Sequence, residues 1–280
     1  MSKLAKALLV VGVIWLVLVA AIGVGGFTLF GFRQAVNFLP GFIGVRESVQ
    51  RTDNTTYSAE AVTSIEIISR NGTVDVSSGE GSDVVILAKY TVWDNTQSAA
   101  QARLDRLSTS VTEEQGKLRV EAIFPSMTVS NESVAYEVIV PEGIDVNVKT
   151  SNGTITVVDV EGALGLETSN GTIEITAAAG PSQVTARTSN GRIILEGGSK
   201  VTGGTYDLRT SNGAIRITLP EDLGVEVDLS TSNGTITLGS GQWMLEGGQI
   251  SSRAAKATRG DGALKIRAVT SNGNIVITNE

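Results

Sequence analysis

The sequence contains no cysteine and no histidine. Their absence removes disulfide frameworks, Cys/His metal sites, cysteine nucleophiles, the Ser-His-Asp triad and histidine acid–base chemistry together. Aromatic residues make up 5% of the chain, and five of the six Phe lie at or before Phe42. Beyond residue 60 only Tyr90, Trp93, Phe124, Tyr136, Tyr206 and Trp243 remain. That is thin material for the exposed platforms on which sugars and single-stranded nucleic acids stack. Positive charge is also scarce past the first sixty residues: residues 61–280 carry −9, whereas residues 1–60 carry +2. An acidic domain repels phosphate backbones, so nucleic acid is not an expected partner. Five Pro against 32 Gly, among many Val, Ile and Thr, point to short strands and tight turns.

Ala7–Phe32 is an uncharged run of 26 residues. At about 1.5 Å per residue, a helix of that length crosses a hydrocarbon core of roughly 30 Å. A cleaved signal peptide ending at Val19-Ala20-Ala21 is the rival reading, but apolar character continues for eleven residues past Ala21. An uncleaved, single-pass anchor is therefore expected. Lys3 and Lys6 flank one end, and Arg33, Arg46 and Arg51 follow the other, so positive charge alone does not set the orientation. A short basic tail normally stays in the cytoplasm, which places the remainder outside. The expected organisation is a basic tail (1–6), a membrane helix (7–32), a juxtamembrane segment and linker (33–60), and a repeat domain (61–280).

The repeat is explicit. Thr-Ser-Asn-Gly occurs six times, with Asn at 152, 170, 190, 212, 233 and 272. The gaps are 18, 20, 22, 21 and 39, the last reading as two units with a degenerate copy between them. A weaker copy, Ser69-Arg70-Asn71-Gly72, lies 81 residues (about four units) before Asn152. Three residues after each Asn stands Ile155, Ile173, Ile193, Ile215, Ile236 or Ile275. Four before it come Val148, Leu166, Ala186, Leu208, Leu229 and Ala268, and six before it another apolar residue or Tyr206. Between those, Lys149, Glu167, Arg187 and Arg209 occupy the intervening position in four copies. Each unit thus reads as strand, Asn-Gly turn, strand, with one apolar face.

Two architectures satisfy that alternation. In one, every Asn-Gly is a hairpin tip and the units form an antiparallel meander or sandwich. In the other, Asn-Gly marks a corner of a coiling chain, and coils of about 20 residues stack in parallel at about 4.8 Å. A hairpin has no reason to demand Thr-Ser before the turn and Ile after it in every copy, whereas a stack turns like residues into ladders. The all-β, parallel β-helix (β-solenoid) is the favoured fold. Positive φ is expected at Gly171 and Gly191, and an alternating charge ladder at Lys149, Glu167 and Arg187. Residues 95–110 interrupt the pattern with helical spacing, Ala100, Leu104, Leu107 and Val111 falling on one side, as a capping element or insertion requires.

The run VAYEVIVPEGIDVNVKTSNGTITV, followed by TSNGTIEI, TSNGRIIL, TSNGAIRITLP and STSNGTITL, resembles the β-strand-repeat "putative adhesin" domain family. The likeness covers about residues 61–278. It implies a β-solenoid in membrane-anchored envelope proteins and carries over no catalytic, cofactor-binding or metal-binding residue. It also implies a competing role, as an accessory in envelope-stress signalling through a membrane protein partner.

Individual residues add little chemistry. Parallel β-helices host polysaccharide-processing enzymes, but such sites need clustered carboxylates or a base beside Arg. Asp207 with Asp228 is the one adjacent acidic couple that repeat alignment produces, and it reads as two solvated acids. Trp243 is the best aromatic for a binding patch, against a plain role in covering the core. Arg259-Gly260-Asp261 spells an integrin-type tripeptide inside an ordinary Asp-Gly turn. Asn54, Asn71, Asn131, Asn152, Asn170 and Asn233 match a glycosylation sequon, and Asn152, Asn170 and Asn233 are simply the repeat's own turn. The expected function is a non-enzymatic structural or adhesive surface module, without cofactor, contacting an envelope polymer or membrane protein.

Overall fold

Strict alternation of apolar and polar residues over five to nine positions leaves a strand with one face to bury, and a single coil cannot bury it alone. The computed structural model shows how the neighbours do so. It describes residues 47–125, 131–177, 180–245 and 251–279, all within the unit Phe42–Glu280. The apolar run Ala7–Phe32, with its expected membrane helix, lies outside the described residues. Among the described residues no helix is long and apolar enough to cross a membrane.

The first part of the chain forms β1 (Glu47–Ser58), β2 (Ser64–Ile68), β3 (Val74–Ser78), β4 (Asp83–Asp94) and the helix α1 (Gln97–Leu104). It continues with β5 (Ser108–Glu114), β6 (Lys117–Ile123) and β7 (Glu132–Val140). The repeats follow as strand pairs: β8 (Asp145–Asn152) with β9 (Ile155–Val158), and β10 (Leu164–Asn170) with β11 (Ile173–Ala177). Next come β12 (Gln183–Asn190) with β13 (Ile193–Gly197), and β14 (Gly204–Asn212) with β15 (Ile215–Leu219). Then β16 (Val225–Asn233) and β17 (Ile236–Leu238) precede β18 (Met244–Leu245), β19 (Ala254–Arg259), β20 (Leu264–Asn272) and β21 (Ile275–Asn279).

Two sheets result, enclosing one core. The repeat strands are parallel and in register: Ile173 faces Ile155 on one side and Ile193 on the other, and Leu166 faces Val148 and Ala186. All of these are buried. The hairpin meander is thereby overturned, because each Asn-Gly passes the chain from one sheet to the other instead of back along the same one. Antiparallel pairing occurs only towards the ends, where β4 pairs β1 and β7, β5 pairs β6, and β19 pairs β16 and β18. These strands close the stack, as exposed edges require.

Stack order and chain order differ at both ends. The β2/β3 coil lies between β6/β7 and β8/β9, and the β20/β21 coil lies between β14/β15 and β16/β17. Among the described residues the gap of 39 therefore hides no degenerate coil: between β17 and β20 it holds the end strands β18 and β19, and Asn272 follows Asn212 in the stack. Asn71 likewise adjoins Asn152 directly, not four units away. Residues 47–58, expected within the linker, are the edge strand β1. Its polar sequence is stabilised by twelve register positions against β4 rather than by an apolar face of its own.

The helix is shorter than its spacing suggests. Thr96 caps it, accepting from the Ala99 N–H, and it ends at Leu104 because Ser108–Glu114 pairs with β6 instead. Ala100, Leu104 and Leu107 are buried as anticipated. Arg51 of β1 donates to the Leu107 carbonyl at 2.8 Å and lies over the Tyr90 ring at 4.3 Å, tying the segment after the helix to the edge strand.

Candidate functional site

Two hydrogen-bond ladders run along the Thr-Ser-Asn-Gly corner. The buried Thr hydroxyls donate to the Gly carbonyl of the adjoining coil: Thr168 to Gly153 at 3.1 Å, Thr188 to Gly171 at 3.0 Å, Thr210 to Gly191 at 2.9 Å. Thr150 is the exception, its buried hydroxyl having no hydrogen-bond partner among the described residues. Each Asn donates Nδ2 to the Oδ1 of its neighbour, from Asn233 through Asn272, Asn212, Asn190, Asn170 and Asn152 to Asn71, at 2.7–2.9 Å. Such amide ladders are a signature of in-register parallel stacking.

The corner glycines serve for a different reason from the expected one. Gly171 and Gly191 do not have positive φ. A Cβ on Gly191 would instead stand 1.8 Å from the Gly171 carbonyl oxygen, and one on Gly171 would stand 1.9 Å from that of Gly153. The glycines are there because adjoining coils touch backbone to backbone.

Residues singled out for chemistry are mostly committed to structure. Asp207 and Asp228 are not adjacent: the inserted coil places Arg267 between them, and Asp207 pairs with Arg187 at 3.2 Å and Arg209 at 2.8 Å. Arg259 of the integrin-type tripeptide is buried, donating to the carbonyls of Leu223 at 3.2 Å and Pro220 at 2.8 Å and to Asn279 Oδ1 at 2.6 Å. Burial pushes its pKa down. Gly260 and Gly262 take positive φ and Asp261 accepts from the Ala263 N–H, so the tripeptide is a turn that plugs the end of the stack. Trp243 packs against the core beneath the Arg259 guanidinium, 5.2 Å from it, and donates to the Gly239 carbonyl. Tyr206 is fully buried, donates to the Pro181 carbonyl at 3.1 Å, and has its pKa pushed up to about 12 by burial. Glu66 is held below the usual carboxylate range, first by its hydrogen bond from Lys117 and further by Arg119. Among the described residues no three acidic side chains converge to hold a metal ion.

One place on the outer face of the β8–β10–β12 sheet is built differently. The row five residues before each Asn, continued by Arg119 beside Glu66, reads in stack order Arg119, Glu66, Asn147, Gly165, Thr185, Asp207, Arg267 and Asp228. Gly165 alone lacks a side chain, and the missing volume opens a groove of about 420 Å³ across β8, β10 and β12. Asn147 leans over its floor: a Cβ at Gly165 would stand 2.3 Å from Asn147 Oδ1. Gln183 and Thr185 form the opposite wall, with Lys149, Glu167 and Arg187 at one end and Asp145 at the other. Lys149, Glu167 and Arg187 are in register, as the charge alternation anticipated, yet they do not pair with one another. Lys149 turns to Glu66 at 3.8 Å and Arg187 to Asp207, leaving the Glu167 carboxylate without an ion pair among the described residues. The sequence signal for this groove was a Gly on an outward strand position, which the apolar alignment passes over.

Solved structures show some similarity to this chain. A "putative cell adhesion protein" from Clostridium sporogenes ATCC 15579 is 12% identical, covering 83% of this chain and 100% of its own, with a TM-score of 0.48. A "putative adhesin" from Bacteroides fragilis NCTC 9343 is 13% identical, covering 82% and 97%, with a TM-score of 0.38. A "putative lipid binding protein" from Parabacteroides distasonis ATCC 8503 is 9% identical, covering 82% and 96%, at 0.25. No curated protein matches. Residues 53–278, from within β1 to the end of β21, match the family described as Toastrack DUF4097, and the chain belongs to that family.

Proposed function

We propose that this protein is a non-enzymatic surface module. In this reading Ala7–Phe32 crosses the membrane once, and the stack stands on the extracytoplasmic side, making structural or adhesive contacts through its outer faces. The observation that carries it is the use to which the polar side chains are put. The corner Asn side chains, every corner Thr but Thr150, Arg259, Asp207 and Glu66 all hold coil to coil, and what remains is a solvated surface repeating about every 4.8 Å. A surface of that kind suits many weak contacts acting together rather than one reaction centre.

Fractionation with protease shaving of intact cells tests the placement. Residues 61–280 are expected in the membrane fraction and sensitive to protease added outside. Protection under conditions that digest known surface proteins overturns the placement. A deletion strain that attaches to surfaces as well as its parent overturns the adhesive role.

A further inference from the structure

We infer that the groove over Gly165 seats a neutral hexose or N-acetylhexosamine unit of an oligosaccharide, a site that rests on the surface-module reading above. The walls at Asn147 and Thr185 are two strand spacings apart, roughly 9–10 Å between backbones. The volume of about 420 Å³ lies in the range of small-ligand sites, roughly 300–1,000 Å³. The floor is backbone at Gly165, and its neighbours Leu164 and Leu166 are buried in the core, so the groove offers more polar than apolar surface.

Charge narrows the class. Lys149 and Arg187 are engaged by Glu66 and Asp207, so the lining has no positive charge to spare for a phosphate, and among the described residues no three acidic groups converge to hold a cation. Both basic groups also lean out of the groove, towards Glu66 and Asp207. Left facing in are groups of mixed donor and acceptor character. The carboxamides of Asn147 and Gln183 and the Thr185 hydroxyl each give and take hydrogen bonds, and Glu167 accepts. A ring of hydroxyls, each itself donor and acceptor, is the ligand that such a set satisfies. With no aromatic platform the single-site affinity is weak, about millimolar, and useful only when many copies and many sugars meet.

The test displays the full chain densely on beads and probes them with printed neutral oligosaccharides of hexose and N-acetylhexosamine, alongside acidic counterparts. Gly165→Thr fills the groove. The strand accepts Thr, since Thr185 occupies the same row one coil away, and only the Asn147 side chain has to move. Gln183→Ala, at an exposed position, is the second variant should Gly165→Thr fail to fold. Wild-type beads are expected to bind neutral oligosaccharides, and each variant that folds to lose at least tenfold in signal. Undiminished binding by the folded variants, binding of acidic glycans only, or no binding of neutral ones overturns the groove. If the array is silent while cells still attach, the groove alone is wrong. If attachment fails while array binding persists, the adhesive reading is wrong and the sugar site stands.

Discussion

Replacing Gly191 by Ala tests the claim that the corner glycines exist for contact between coils. The added Cβ would lie 1.8 Å from the Gly171 oxygen, 2.6 Å from its carbon and 3.1 Å from Thr188 Oγ1. Cβ contacts below 3.0 Å are essentially never seen, so the corner must open by about 1.2 Å. The Thr188 hydroxyl bond to Gly171, now 3.0 Å, then passes 4 Å and is lost, and adjoining ladder bonds weaken with it. Two or three such bonds at about 1 kcal/mol each, with about 1–3 kcal/mol for the overpacked contact, give a cost of about 3–6 kcal/mol. Gly143→Ala is the control. Gly143 has φ +78 and nothing within 4 Å of a Cβ, so its cost is purely conformational, about 1–2 kcal/mol. Urea unfolding of the full chain followed by circular dichroism reads both. A Gly191→Ala loss no larger than that of Gly143→Ala refutes the contact argument.

Truncating Ile173 or Ile193 to Ala should cost about 2–5 kcal/mol each, and their double-mutant cycle should show coupling above roughly 0.5 kcal/mol, because the two face each other across coils; additive losses count against a shared ladder. Thr188→Val is expected to cost about 1 kcal/mol through its lost bond to Gly171, while Thr150→Val, which loses none, should lie within about 0.5 kcal/mol of wild type or above it; equal losses by thermal melting contradict the hydroxyl assignment. Tyr206 ionises at about 12 in the fold against about 10 when unfolded, so its contribution is whole below pH 10 and disappears between pH 10 and 12, about 2–3 kcal/mol in all. Tyr206→Phe should be slightly less stable at pH 7, for want of the Pro181 bond, yet lose less between pH 9.5 and 11.5; Tyr90 and Tyr136, also raised by burial, retain part of the slope. Identical alkaline slopes for the two proteins would falsify this.

Much of the interior was legible because the signal is local. Ile three residues after each Asn and Leu, Val or Ala four before it place a side chain inwards whatever the neighbours are, and identical corners point to parallel stacking. What was not legible depends on which coil meets which. All corners carry the same Thr-Ser-Asn-Gly, so nothing in Asn212, Asn233 or Asn272 announces that the third sits between the other two. Asp207 and Asp228 looked adjacent for that reason, until Arg267 came between them. The role of Gly191 was hidden similarly: Asn-Gly suggests positive φ, and only the adjoining coil reveals the contact. β1 carries mostly polar residues, and its strand character comes from the open edge of β4.

The interior position of β20/β21 separates the order of synthesis from the order of assembly. Once residues up to Leu238 have been made, the open edges of β14 and β15 are a matching seat for β16/β17, which bears the same corner and the same row of apolar side chains. In the finished protein that seat is taken by Leu264–Asn279, which are made later. The nascent chain must therefore hold β16/β17 back or give up a good pairing for a better one, a long-range exchange of the kind that slows folding. Loss of Leu264–Asn279 removes a middle layer rather than an end, and leaves two compatible edges free to close on each other in a shorter, wrongly ordered stack.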